Sequence, residues 1–382
     1  MDAAELFTGT YSREPDGVFS APGRVNLIGE HTDYSGGLVL PFAIDARAHL
    51  AAAANTDGTI RATSAQKPGE VITTTVDDLA PGSDVAGSWA GYLLGSIWTL
   101  RRAGHPIGGF DLALDSQVPS GAGLSSSAAM ECVTALATSV LSGVQLDEMT
   151  IARLAREAEN DFVGVPTGPM DQTASTASRA GSVLMFDTRS GSVQHIPFDP
   201  AAHGLEVLVI DTRVTHALSD GQYGRRRASC EQAADILGVQ WLRDIGIDEL
   251  AAALDRLPDD ELRRRVRHVV TENDRVRQTV DLLQADRVAD IGDLLTASHR
   301  SLRDDYEVSC AELDVAVDAA LDAGALGARM TGGGFGGSAI ALVPADRVDD
   351  VIGAVTTAFA AKGFVAPVPR LVHPAQGARR DG

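Results

Sequence analysis

Between Arg24 and Asp33 the chain sets an arginine, a glutamate, a histidine and an aspartate within ten residues. Each of these side chains can donate or accept a hydrogen bond, or move a proton. The run Val25-Asn26-Leu27-Ile28 between them has the pattern of a short buried strand. A core gains nothing from polar groups crowded at both ends of such a run, because a buried polar group without a partner costs about 1–3 kcal/mol. A ligand with several hydroxyl groups supplies the partners, so the cluster predicts a polar ligand. His31 invites a metal reading, but no HExxH spacing or nearby cysteine accompanies it, which argues against zinc.

Two glycine-rich segments carry a second kind of chemistry. Gly121-Ala122-Gly123-Leu124-Ser125-Ser126-Ser127 holds two glycines and three serines and stands just before a helical pattern. Exposed N–H groups at a helix start, with small side chains around them, suit phosphate. A serine-capped helix after a strand is the plainer alternative. The P-loop lysine is missing, so this is not a Walker-type site. Gly332–Gly337 has five glycines in six positions, more than a tight connection needs, and implies a backbone held close to a ligand or another segment. By position alone Asp171, after Gly168 and Pro169, fits a helix cap, and Glu159 fits a solvated helix face. Arg225-Arg226-Arg227 is expected on a solvated, ion-paired face. GxSxG is absent, which sets a serine hydrolase aside.

The elements that must position these groups follow from apolar periodicity. Leu38–Leu40, Ala48–Ala54 and Val71–Val76 are expected strands, Pro81–Gly87 a loop and Ala90–Ala103 a helix. Phe110, Leu112 and Leu114 alternate with Asp111, Ala113 and Asp115, a strand with one more polar face. Helices are expected from Ala128 to a stop at Gly143 and from Glu148 to Phe162. Val183–Phe186 and Val193–Ile196 form a strand pair, and a domain boundary falls near residue 200. Beyond it come a strand at Leu205–Ile210, a helix-rich stretch ending at Gly324, and a strand at Ala339–Val343. The tail after Pro367, rich in Pro, Gly and Arg, is expected to fray.

A chain of 382 residues with 44 % hydrophobic content has room for two domains with ordinary cores. Its net charge of −20 disfavours nucleic acid and anionic membranes as partners. Cys132, Cys230 and Cys310 are odd in number and widely spaced, which fits free thiols in a cytoplasmic setting. The opening MDAAELFTGTYSREPDG has no basic stretch followed by an apolar one, so no signal peptide is expected. No run approaches the ~20 apolar residues of a membrane span.

Three segments in this order resemble the galactokinases of the GHMP small-molecule kinase superfamily: Gly23–Tyr34 (GRVNLIGEHTDY), Pro119–Ala129, and Met330–Ser338. Gly168–Gln172 and Ser298–Ser309 are also similar to galactokinase text, and the resemblance spans nearly the whole chain. The first motif is specific to galactokinases and their near relatives, the other two to the superfamily. The resemblance implies an α+β, two-domain GHMP kinase fold. Residues 1–200 would form an N-terminal domain around a mixed sheet and 201–382 a C-terminal α/β domain, with the active site in the cleft between.

It further implies transfer of the ATP γ-phosphoryl group to O1 of α-D-galactose, the first step of the Leloir pathway, by a monomer. Asp171 would be the catalytic aspartate at the galactose 1-hydroxyl, with Arg24 beside it favouring its ionised form. Glu30, His31, Asp33, Gly168, Asp171 and Tyr223 match the sugar-holding positions. Gly121, Ala122, Gly123, Leu124, Ser125, Ser126 and Ser127 would cradle ATP, and Ser127 and Glu159 match the positions for Mg²⁺. The chain departs from the pattern in a short lead before Arg24, where some members carry an extra helix, and in Ser338, where cysteine is common.

Other readings weigh less. Galactokinase-like sensors that have lost catalysis lack residues of the second motif, which is intact here. The Glu30-His31 pair favours a primary alcohol at C6, which a pentose lacks, and Glu30 would repel a uronate. N-acetylgalactosamine is harder to exclude, because tolerance at C2 depends on pocket shape. A purely structural role would leave the Arg24–Asp33 cluster without partners.

Overall fold

The computed structural model describes residues 2–214 and 220–382. In chain order the strands are β1 (Gly17–Asn26), β2 (Leu38–Val39), β3 (Pro41–Asn55), β4 (Thr59–Ser64), β5 (Lys67–Thr75), β6 (Gly109–Ser116), β7 (Ser182–Asp187), β8 (Ser192–Pro197), β9 (Leu205–Asp211), β10 (Gly327–Thr331), β11 (Ser338–Pro344), β12 (Val368–Val372) and β13 (Arg379–Arg380). The α-helices are α1 (Ala3–Tyr11), α2 (Gly91–Arg102), α3 (Ser126–Leu141), α4 (Glu148–Glu157), α5 (Met170–Ala177), α6 (Asp220–Leu237), α7 (Leu250–Asp255), α8 (Asp260–Gln284), α9 (Gly292–Ser301), α10 (Ala311–Asp322) and α11 (Val348–Lys362). Among the described residues no helix is long and apolar enough to cross a membrane.

The first sheet runs β13-β1-β3-β6-β4-β5 and is mixed: β4 is parallel to β6 and the other pairs are antiparallel. Helices α3 and α5 pack on one face, with α2 against α3. The short lead before Arg24 does contain a helix. Asp2 and Glu5 cap α1 reciprocally, and Phe7 buries against Ala51, Ala53 and Ala113 on the other face. The expected β6 strand with one more polar face is present, and the same cover buries that face at Asp111, which is neutralised by Arg13 at 2.6 Å and Arg61 at 2.9 Å.

The second sheet, β10-β11-β9-β12, is antiparallel, with α9, α10 and α11 packed on it. The expected Val183–Phe186 and Val193–Ile196 pair is β7 and β8, extended by β2. The tail does not fray. Strand β12 pairs with β9, Ala375 bridges to Ala43, and β13 closes on β1. Arg47 donates to the carbonyls of Gln376 at 2.7 Å and Gly377 at 2.8 Å, which ties the chain end to the first sheet. One apolar core therefore runs through both halves, joining Phe42 and Leu50 to Val207, Val209 and Val276.

Two local departures matter for the site. The strand expected at Val25–Ile28 begins earlier and ends at Asn26. The Asn26 side chain accepts the Leu40 N–H at 3.2 Å, and Gly29 turns the chain at φ +104°, with Leu38 O 2.6 Å from where a Cβ would sit. The helix expected from Glu148 to Phe162 becomes a π-helical turn over Ala158–Val163. Such turns redirect side chains, and this one carries Glu159 inward.

Candidate active site

A cavity of about 470 Å³ opens between the two halves. Its walls include Arg24, Glu30, His31, Asp33, Gly168, Asp171 and Tyr223, every sugar-site and catalytic residue expected from the sequence. Gly164–Thr167 and Met170 add one wall, and Gly332–Phe335 the opposite one.

At one end of the cavity Arg24 grips Asp171 through a fork. Nε donates to Oδ1 and Nη2 to Oδ2, both at 2.8 Å. The Ser125 hydroxyl donates to the same Oδ2. Asp171 is not the helix cap expected from its position. It lies within the first turn of α5, where N-terminal N–H groups favour negative charge, and it makes no capping bond. Burial alone would lower the Arg24 pKa, but Asp171, Glu30 and Asp33 more than offset that and raise it. Arg24 is only 5 % exposed, so a buried guanidinium fixes the orientation of the partly exposed Asp171 carboxylate.

His31 stands at φ +61°, and Ser125 and Phe335 are likewise left-handed at +58°. Strained non-glycine residues of this kind cluster at functional sites. Burial, then His268, holds the His31 ring neutral, with a pKa lowered to about 3. Its Nε2 lies 3.1 Å from the Gly333 carbonyl, which can only accept, so Nε2 carries the proton and Nδ1 accepts from Tyr34 OH at 2.9 Å. Tyr34 in turn accepts from Tyr306 at 2.7 Å, and Tyr306 from Cys230 at 3.1 Å. The metal reading of His31 gains no support: no cluster of three metal-ligating side chains occurs among the described residues.

The Glu30 carboxylate is 1 % exposed and spans two motifs. Oε2 accepts from Asn26 Nδ2 at 2.5 Å, and Oε1 from Gly332 N–H at 2.7 Å. Burial raises the Glu30 pKa against the pull of Arg329 and Arg24. Asp33 packs its carboxylate on the bare Cα of Gly168, and burial, Asp171 and Glu30 push its pKa up to about 7. Tyr223, ring to ring with His31 and Tyr34, has a phenol pushed well up by burial first and then by Asp33 and Asp171.

The Gly121–Ser127 segment links β6 to α3 and packs against the third motif. Arg24 Nη1 donates to Gly123 O at 2.6 Å, and Ser338 Oγ to Ala122 O at 2.7 Å. No side chain caps α3, so its first-turn N–H groups stay open for an anion. The glycines of Gly332–Gly337 let the backbone approach other segments of the chain and the cavity. A Cβ at 336 would lie 2.6 Å from Val214 O, one at 334 would overlap Val308 O, and residues 332–334 line the cavity. Glu159 is not solvated, being 4 % exposed. It accepts from Gln172 Nε2 at 2.7 Å and Thr167 Oγ1 at 3.0 Å. Burial raises its pKa, partly offset by the neighbouring Ser127.

Sequence reasoning missed several residues here. Tyr306, His268, Glu272 and Arg329 form the bed under the signature, and Gln172 bridges Glu159 to the buried Glu131 at 2.9 Å. Sequence pattern alone assigns Ser298–Ser309 no role. It supplies Ser298 to Glu272, the His299 ring to Met330 N–H, and Tyr306 to the His31 chain. Arg226, expected on a solvated face, instead donates to Tyr306 O at 2.8 Å, while Arg227 pairs with Glu231 at the surface.

Comparison with known proteins agrees with this geometry. Residues 5–54 match the galactokinase galactose-binding signature, 91–179 the GHMP kinases N terminal domain, and 279–361 the GHMP kinases C terminal family. A Methanococcus jannaschii mevalonate kinase structure shares the fold at TM-score 0.69 and 17 % identity, covering 94 % of this chain and 98 % of that one. The fold is therefore that of the GHMP kinases, which are ATP-dependent enzymes. Galactokinase from Streptomyces coelicolor is 54 % identical over 377 residues, 98 % of this chain and 97 % of its own. Galactokinase from Mycobacterium tuberculosis is 44 % identical over 360 residues, 94 % and 98 % of the two chains. The structure of Lactococcus lactis galactokinase complexed with galactose superposes at TM-score 0.94 and 31 % identity, covering 99 % of this chain and 98 % of that one. The chain belongs to the galactokinase family, and its activity is that of an ATP-dependent sugar kinase.

Proposed function

We propose that this protein transfers the γ-phosphoryl group of ATP to O1 of α-D-galactose, giving galactose 1-phosphate and ADP. The observation that carries the reading is the convergence of Glu30, His31, Asp33, Gly168 and Tyr223 on one cavity with the Arg24–Asp171 fork at its end. Asp171 accepts the hydrogen of O1–H, and Arg24 keeps both carboxylate oxygens aimed and offsets charge on the moving group. Glu30, His31, Asp33 and Tyr223 hold the remaining hydroxyls. Phosphoryl transfer has a loose transition state, so fixed positions and charges do most of the work.

The Gly121–Ser127 loop would hold the ATP phosphates on the open N–H groups of α3. Ser127 and Glu159 offer a hydroxyl and a carboxylate, hard oxygen donors that suit Mg²⁺, an ion that keeps waters and phosphate oxygens as its other ligands. When bound, Mg²⁺ neutralises phosphate charge. The reading takes residues 1–200 and 201–382 as two domains with the cleft between them. The reading of a monomer is supported by the named side chains all coming from this chain. Three unpaired cysteines, two of them buried, favour the reducing cytoplasm.

The test is ADP release by the purified protein with ATP and Mg²⁺ over galactose, 2-deoxygalactose, N-acetylgalactosamine, glucose, arabinose and galacturonate. Turnover strongest on galactose and lost without Mg²⁺ is expected. Galactose binding with no turnover on any sugar would favour a sensor.

A further inference from the structure

The main chain of the signature is held from beneath by side chains that line no part of the cavity. Glu272 Oε1 accepts the Gly29 N–H at 3.0 Å. His268 Nε2 donates to the Glu30 carbonyl at 3.0 Å, and Asn273 Oδ1 accepts the Leu38 N–H at 2.8 Å. All three project from one face of α8. Arg329, from β10, donates through Nη1 to the carbonyls of Asn26 and Leu27, each at 3.1 Å. Four side chains of the second half thus grip five main-chain groups of the first.

Glu272 is the centre of this grip. It is fully buried and anchored by Ser298 Oγ at 2.6 Å and Arg275 Nε at 2.7 Å. Arg329, also fully buried, stands between Glu272 at 4.0 Å and the cavity carboxylate Glu30 at 3.6 Å. Burying this many charges costs desolvation that an apolar core would avoid. What it provides is direction: the bond to Gly29 N–H falls one residue before Glu30 and two before the strained His31.

We infer that Glu272 is a positioning residue for the sugar, holding Glu30 and His31 in register through the Gly29 N–H, so that α8 sets sugar affinity without touching substrate. The inference rests on the galactose reading above. A slip of this main chain moves the hydroxyl-binding side chains but leaves the Gly121–Ser127 loop in place. The effect should therefore appear in galactose KM and not in ATP KM.

The experiment measures KM for galactose and for ATP, kcat and Tm for the unaltered enzyme, Glu272→Gln and Ser298→Ala. Glu272→Gln keeps the shape but loses the charge and one acceptor. Ser298→Ala removes one anchor and is the gentler change should the first fail to fold. The expected result is a galactose KM raised at least tenfold in Glu272→Gln and two- to fourfold in Ser298→Ala, with ATP KM within twofold and kcat within threefold. An unchanged galactose KM in the folded variants, with only Tm or active fraction reduced, would show a merely structural role and overturn the inference alone. No turnover of galactose by the unaltered protein would overturn the functional reading and the inference with it.

Discussion

The carboxylate of Asp33 fills the space that a side chain at position 168 would need: a Cβ on Gly168 would lie 2.5 Å from Asp33 Cγ and overlap one of its oxygens. Gly168 is not among the residues with positive φ, so its backbone suits any residue and the contact alone requires glycine. Gly168→Ala should displace Asp33 within the cavity while leaving the fold intact. Galactose KM is expected to rise at least tenfold, about 1.4 kcal/mol of lost binding, with Tm nearly unchanged. An alanine variant with normal galactose KM would show that Asp33 has no part in sugar binding.

Asp33 also makes sugar binding sensitive to pH. Its pKa is pushed up to about 7, against about 4 in an unfolded chain. Between those values the folded state keeps a proton that the unfolded state has released. The stability Asp33 contributes is therefore full below about pH 4 and is lost as pH rises toward 7. A sugar hydroxyl donating to the carboxylate favours the charged form. Galactose binding should then expel a proton near neutrality, and galactose KM should fall from pH 6 to pH 8. Calorimetry in buffers of different ionisation enthalpy reads the proton directly. Asp33→Asn should abolish its release, and an identical release in that variant would assign it to another group.

The π-helical turn makes a separate prediction for Glu159. Were this carboxylate solvated, its removal would change little. Because it is buried beside Ser127, Glu159→Ala should raise the Mg²⁺ concentration for half-maximal activity at least tenfold. Galactose affinity without nucleotide should stay within twofold, measured by titration. An unaltered Mg²⁺ dependence would remove Glu159 from the metal site.

Much of this was legible in the sequence. Apolar periodicity located most strands but only α2, α3 and α4 among the helices of the first half, the later ones being expected only as a helix-rich stretch, and the resemblance brought together residues up to two hundred positions apart. What escaped was set by tertiary cover. Burial of the polar face of β6 at Asp111 was not legible, because nothing in the local pattern shows that α1 lies over it. Glu159 looked solvated because a helical pattern does not announce a π turn. Asp171 looked like a cap because its partner, Arg24, is 147 residues away. Glu272 and Arg329 carried no signal of their own, since the signature groups they hold are main-chain N–H and C=O of Asn26–Gly29, and backbone leaves no mark on sequence pattern. The tail beyond Pro367 was misjudged on composition, whereas its order comes from pairing with β1 and β9.

The account stands on the Arg24–Asp171 fork acting on a sugar hydroxyl at the end of the cavity. The most direct measurement is kcat for galactose phosphorylation by Asp171→Ala beside the unaltered enzyme, with circular dichroism confirming the fold. The account predicts folded protein with kcat lower by at least three orders of magnitude, about 4 kcal/mol in the barrier. A folded variant with kcat within tenfold of the unaltered enzyme would contradict it.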